Sequence, residues 1–399
     1  MSFEFADHRG GTVPSHRLPQ STNSTFANVN APMRPDDVIS PLLGDTASDK
    51  CFIKHGNQPA ILENASKGLT AADQIVLKSF PVETIESIKQ TITETQDCLI
   101  ESVSSLQRRT GFQVSRVTSA VSHLANEVSD NLMAVFSVLA THSDVSDTHL
   151  LQKIARHATS VSTLGIIMSI LRGDDDRKTS EIGLAGLLHD TSILFQPDWF
   201  VLSPVSRTET ARKQFRSHSL ASASLFEGLP GVSESVITMI REVHEQFDGS
   251  GFPFGKSREE LHSGSLILNL ADAFISLISP ILGPSIVASD AMAVLCHHTT
   301  RGAFSRDTFQ IFLDSVSIYP VGTVVKLDDK SDAVVVNSNR KKPFQPVVRL
   351  LPHGVPEIDL SYSQFRVIEL SHGGESTKSR RVSRASLGKA LWRSELDIR

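Results

Sequence analysis

Cysteine is scarce in this 399-residue chain: only Cys51, Cys98 and Cys296 occur, far apart and with no Cys-x-x-Cys. That excludes a disulfide framework and a thiolate zinc site, and it suits a reducing compartment. Charge of one sign is also lacking. Forty-four acidic residues face 39 basic ones, a net of −5, so bulk electrostatic binding to DNA or RNA is not expected. No apolar run approaches the ~20 residues of a bilayer span. The longest, Leu164 to Leu171, is interrupted by Ser169. Residues 1–18 carry two early acidic residues and no apolar h-region, so no signal peptide is expected. Together these absences predict a cytoplasmic protein with no membrane span and no nucleic-acid partner.

What is present is an ordinary globular composition, 40% apolar and 21% charged, and the length allows roughly two to three domains. Residues 1–36, rich in Ser, Thr, Asn and Pro, read as a disordered arm. Residues 37–80 read as a small mixed α/β segment, with CFIKHGNQPAIL as strand–turn–strand and LTAADQIVLKSF as a short helix opened by Thr70. From 81 to 147 a helical connector is expected, its apolar stripe running through Val82, Ile85, Ile88, Ile92 and Leu99. Its irregular heptads favour packing on the next domain over a coiled-coil stalk, although the connector also offers a homodimer contact. Between 148 and 318 successive helices are predicted at His149–Leu171, Ser180–Asp190, Thr208–Glu227, Ser233–Gln246, Ser265–Ile278, Ser289–His298 and Asp307–Leu313. Residues 319–371 turn β-branched and predict a small antiparallel unit closing the same domain; 372–399 reads as a flexible tail. The fold class is therefore mainly α, a helical bundle with a small C-terminal antiparallel β unit and a small mixed N-terminal segment.

Fifteen histidines are the first hint of chemistry. His157, His189, His218 and His244 each fall in line with apolar residues at helical spacing. Asp190 follows His189 at the end of EIGLAGLLHD, and Asp272 sits inside LILNLADAF. Shared spacing points all six inward. One buried histidine is ordinarily a satisfied core residue, whereas six on several helices would each carry a burial cost unless they converge. Convergence on divalent metal explains them; a buried His–Asp hydrogen-bond network is the alternative. Imidazole and carboxylate donors without thiolates suit Fe, Mn, Co, Ni or Zn. The loop DGSGFPFG at 248–255 directly follows His244, and its glycines would let a phosphate lie against open backbone N–H groups. Two lookalikes are set aside: Cys296–His297–His298 lacks matched partners, and SRRVSRAS at 379–386 is explained by a short charged tail.

LLHD at 187–190, HEQFDGSGFP at 244–253, LADAF at 270–274 and YPVG at 319–322 together resemble the signature blocks of the HD-GYP family. The resemblance covers about 148 to 371. It implies an HD-type helical fold and a metal-dependent phosphodiesterase hydrolysing a cyclic dinucleotide, most readily cyclic di-GMP. It also implies metal ligands at His157, His189, Asp190, His218, His244 and Asp272, with His189 and Asp190 as the catalytic pair and Asp190 bridging two ions, Fe or Mn. Substrate contacts would come from Gly249, Gly251, Phe252, Pro253, Lys153 and Lys256. Departures are Val243 where the family has a first His of a pair, Ile193 for a lysine, Phe252 for the tyrosine, Lys153 where some members carry a glutamate, and SPILGP at 279–284 for an Arg-Pro-Tyr-Arg block. These leave open a catalytically silent member binding nucleotide or protein partners, and an HD phosphohydrolase for another nucleotide.

Overall fold

Residues 71–141, 149–195, 213, 215–281, 286–339, 342, 344–351 and 357–370 are described by the structure, a computed structural model. The expected arm, the strand–turn–strand with Thr70, and the tail lie outside these residues.

The short helix expected after Thr70 is α1 (Ala71–Leu77). Two long helices, α2 (Val82–Gln107) and α3 (Val114–Thr141), then run as a hairpin across a turn with Gly111 at φ +96°. In α2 the stripe buries Ile85, Ile88, Ile92, Leu99 and Val103. Val82, expected in that stripe, is 71% exposed, being the first helical residue after Pro81. On α3, Val117, Val121, Leu124 and Val128 form the matching face before a kink at Asn131. Both faces enter the same apolar core as the helices that follow.

Helix α4 (Leu150–Arg172) is apolar nearly all round and ends at Gly173, φ +87°. By length and composition it could cross a bilayer (mean hydropathy 1.3), which corrects the reading from contiguous runs; yet 78% of that stretch is buried by its neighbours. It is a core helix. Helix α5 (Asp176–Leu188) begins earlier than Ser180 because the Asp175 carboxylate caps it, accepting from Lys178 N at 2.8 Å. A Cβ on Gly183 would lie 2.8 Å from Ile166 Cδ1 and Val121 Cγ1, so α3, α4 and α5 meet where only hydrogen fits. Ser162 Oγ donates to Gly183 O at 2.7 Å across that contact.

A 3₁₀ turn at Thr191–Phe195 leaves α5. Then follow α6 (His218–Phe226), α7 (Glu234–Glu242), α8 (Ser263–Ile278), α9 (Ala288–Thr300) and α10 (Arg306–Val316). The antiparallel sheet has the order β4-β3-β2-β1-β5, from β1 (Val324–Leu327), β2 (Asp332–Asn337), β3 (Val347–Leu350), β4 (Ile358–Asp359) and β5 (Val367–Leu370). Strand β2 shows why it stays attached. Val334 and Val336 face the helical core, while Ala333 and Val335 alternate into a separate cluster with Val325, Leu327 and Val348. The mainly α architecture with a closing antiparallel unit is as the sequence predicts.

Candidate metal centre

Five chain segments bring the six singled-out residues into one buried cluster. His157 projects from the middle of α4, and Asp272 from the middle of α8. His189 and Asp190 come where α5 unwinds, His218 opens α6, and His244 lies just past α7. All six are at most 2% exposed. Backbone carbonyls set two ring tautomers: His189 Nδ1–H donates to Gly186 O at 2.7 Å, and His218 Nδ1–H donates to Phe215 O at 2.6 Å. A carbonyl only accepts, so each Nδ1 holds the proton and each Nε2 turns its lone pair inward.

Those lone pairs meet other acceptors. His189 Nε2 is 3.1 Å from Asp190 Oδ2, and His218 Nε2 is 3.3 Å from Asp190 Oδ1. His218 Nε2 also faces His244 Nε2 at 2.9 Å. His157 Nε2 is 2.9 Å from Asp272 Oδ1, and His244 Nδ1 is 3.5 Å from Asp272 Oδ2. Donor atoms ringing a first-row metal at ~2.1 Å lie about 3–4 Å apart, the spacing found here. Two groups can hold a divalent cation, His157–His189–Asp272 and Asp190–His218–His244; among the described residues there is no third. The His189 and His218 Nε2 lone pairs and the Asp190 oxygens are buried acceptors aimed at one another, an arrangement that is stable when a cation lies between them, so the residues fit the metal.

The electrostatics agree with ligand roles. Burial, followed by repulsion from His218, pushes the His244 imidazole well below its ordinary pKa, leaving it neutral. For Asp272, burial opposes ionisation, but the His157 hydrogen bond and the surrounding imidazoles outweigh it and hold the carboxyl well below the usual range.

An apolar wall of Ile154, Ile193, Phe215, Phe252 and Ile281 bounds the cluster's surroundings. Phe252 stacks on His244, with ring centroids 4.9 Å apart and planes 24° from parallel. The loop that delivers it uses its glycines sterically. A Cβ at Gly251 would collide with Gln246 N and the His244 carbonyl, and Gly249 sits at φ +83°. Most of the N–H groups expected to lie open for phosphate are engaged within the loop. Gly249 N donates to Gln246 O, Ser250 N to Asp248, Phe252 N to His244 O, and Phe254 N and Lys256 N to Glu245. Lys256, expected at substrate, has its ammonium 2.6 Å from the buried Glu242 carboxylate. Pro253 and Lys153 are half-buried.

Several residues that position the cluster were missed in the sequence. Ser192 Oγ donates to His218 O at 2.7 Å, and Asn269 Nδ2 donates to Val243 O at 2.9 Å, beside His244. Ser276 Oγ donates to Asp272 Oδ1 at 3.3 Å. Glu242 and Glu245, each 1% exposed, clamp the loop from below. A signal for the glutamates did exist: two carboxylates spaced three apart around His244, at the end of an apolar helix face.

Residues 145–304 match the family model of the HD domain. The chain is 24% identical over 266 residues to a cyclic di-GMP phosphodiesterase of Pseudomonas aeruginosa, covering 65% of this chain and 62% of that protein. With a cyclic di-GMP phosphodiesterase of Thermotoga maritima it shares 28% identity over 159 residues, 38% of this chain and 41% of that one. The chain is thus similar, over its HD domain, to cyclic di-GMP phosphodiesterases. It spans under two thirds of the length of either relative. Among solved structures, an HDG"Y"P protein from Bdellovibrio bacteriovorus superposes with a TM-score of 0.48 at 18% identity, covering 61% of this chain and 76% of that one.

The departures from the HD-GYP pattern have definite places. Val243 is fully buried in the main apolar core, and Ile193 lies in the wall beside Phe215 and Phe252. Ile281, from the altered 279–284 block, joins the same wall. The Cys296–His297–His298 run enters neither metal-competent group.

Proposed function

We propose that this chain is a metal-dependent phosphodiesterase opening a cyclic dinucleotide, most readily cyclic di-GMP, to the linear dinucleotide or GMP. The observation that carries it is the convergence of four imidazoles and two carboxylates, with the two oxygens of Asp190 turned to different groups. On this reading two ions, Fe or Mn, would be held, one by His157, His189, Asp190 and Asp272 and the other by Asp190, His218 and His244. Bound metal supplies charge neutralisation at phosphoryl oxygens and acidifies water. The chain's own part is orientation. Gly186 O and Phe215 O hold His189 and His218 in the ligating tautomer, and the loop presses Phe252 against His244. Phe252 and Pro253 would shape the substrate's seat, Gly249 and Gly251 would give the loop its path, and Lys153, one turn before His157, would add positive charge. The same reading places the protein in the cytoplasm. A homodimer through α2–α3 would use their outer faces, and light scattering measures it.

The second reading, a silent module that binds cyclic dinucleotide or a protein partner, is favoured by the apolar Val243 and Ile193. One experiment separates the two: anaerobic incubation of the purified chain with cyclic di-GMP and Mn(II) or Fe(II), chromatography of the products, and metal analysis. Turnover that is lost in Asp190→Ala, with about two ions per chain, is the expected result. A folded protein with near-zero metal and no product would favour the silent module.

A further inference from the structure

Asp190, His218 and His244 make up the second metal-competent group, and the neighbouring position at which the HD-GYP pattern has one more histidine is Val243, buried in the apolar core. With so few protein ligands, slack in any one of them is felt by the ion. Two of the three sit where slack is expected. Asp190 lies past the end of α5, and His218 is the first residue of the short α6, and helix ends fray.

Two buried serines tie these ends together. Ser192, two residues after Asp190, is 4% exposed, and Ser222, one turn after His218, is 0% exposed. Ser192 N donates to Ser222 Oγ at 3.0 Å, Ser222 Oγ donates to Ser192 Oγ at 3.0 Å, and Ser192 Oγ donates to His218 O at 2.7 Å. Each hydroxyl therefore has its single proton placed and a lone pair engaged. On the Asp190 side, Ile193 N donates to Asp190 O at 3.0 Å and closes the 3₁₀ turn on that ligand's backbone. On the other side, Phe215 O fixes the His218 ring. The two side chains so held face each other, Asp190 Oδ1 to His218 Nε2 at 3.3 Å. His157 and Asp272 leave from the middles of α4 and α8, where intrahelical hydrogen bonds already fix the backbone.

We propose that Ser192 and Ser222 are positioning residues for the second ion: their hydroxyl relay sets the distance between Asp190 and His218, and with it the affinity of the Asp190–His218–His244 group for a divalent cation. Neither serine is a ligand, since each hydroxyl is engaged by the other, by Ser192 N or by His218 O. This rests on the metal-dependent reading and deepens it, because occupancy of the second group then depends on a contact between the 3₁₀ turn and α6.

Manganese titration of the full chain after exhaustive chelation, followed by electron paramagnetic resonance, tests this, because free Mn(II), isolated bound Mn(II) and a spin-coupled pair give different spectra. Ser192→Ala should bind the second ion roughly ten- to a hundredfold more weakly and lose the coupled signal, with the first ion's affinity as in the wild type. Ser222→Ala, which leaves the Ser192–His218 bond in place, should weaken the second ion roughly three- to tenfold. Ser192→Thr, which keeps the hydroxyl, should recover part of the Ser192→Ala loss. Should Ser192→Ala fail to fold, Ser222→Ala decides by the same two affinities. An unchanged second-ion affinity, or equal weakening of both ions, would overturn the relay's role. A wild-type chain that takes up a single ion would also overturn it and leave a metal-dependent enzyme standing, whereas one that takes up none would remove both. Serine-dependent loading of the second ion without turnover of cyclic di-GMP would leave the relay standing and remove the hydrolase.

Discussion

Replacing Asp190 by asparagine should remove about two thirds of the stabilisation that bound metal would confer on this protein. Asp190 is 0% exposed, and its oxygens lie 3.1 Å from His189 Nε2 and 3.3 Å from His218 Nε2. Asparagine keeps the shape but removes the charge that the two proposed ions would require. With metal at about a thousandfold excess over its Kd, the wild type should gain ~4 kcal/mol. At about 2–4 °C per kcal/mol for a domain of this size, that is a rise of roughly 8–16 °C in Tm. Loss of an anionic ligand should weaken affinity at least ~100-fold, leaving about 1.4 kcal/mol and a rise of roughly 3–6 °C. The metal-free proteins should rank the other way. Asp190→Asn no longer buries a carboxylate facing lone pairs, so its metal-free Tm should equal or exceed that of the wild type. Differential scanning fluorimetry with and without Mn(II), after exhaustive chelation, measures both. Equal metal-induced shifts in the two proteins would refute the bridging geometry.

Two further outcomes follow from the same cluster. The His244 pKa is depressed in the folded protein, so its contribution to stability is present above the unfolded value of 6.5 and is lost as pH falls below it. Urea denaturation of the metal-free protein should therefore show about 1 kcal/mol less stability at pH 5.5 than at pH 6.5, and a flat profile there would contradict a neutral buried His244. Gly251→Ala should force the loop off the His244 carbonyl, costing roughly 2–4 kcal/mol together with much of the metal content; an unchanged metal count by elemental analysis would show that the loop does not hold His244.

Helix positions were legible because burial repeats at the helical period. The stripes at Val117–Val128 and Ile85–Leu99 and the all-round apolar α4 each carry that pattern locally. The six ionisable residues were legible for the same reason, since each interrupts an apolar face whose direction the period defines. Helix ends were less so. The start of α5 is set by the Asp175 cap, and α7 ends at Glu242, where the next residues turn to deliver His244.

By itself, then, the sequence determined the elements, the inward direction of four histidines and two aspartates, and the absence of thiolate chemistry. Only tertiary structure decided which atoms face which. Nothing local in the chain says that Asp190 points its two oxygens at different histidines, that Lys256 pairs with Glu242, or that the Ser250, Phe252 and Phe254 N–H groups of the loop are already taken. Nor does spacing show that Ser222 reaches Ser192, and Ser192 the His218 carbonyl. Helical periodicity is a property of neighbours in sequence and specifies a face, whereas a metal site and its cations depend on side-chain atoms brought within a few ångströms by separate helices, a distance that only packing sets.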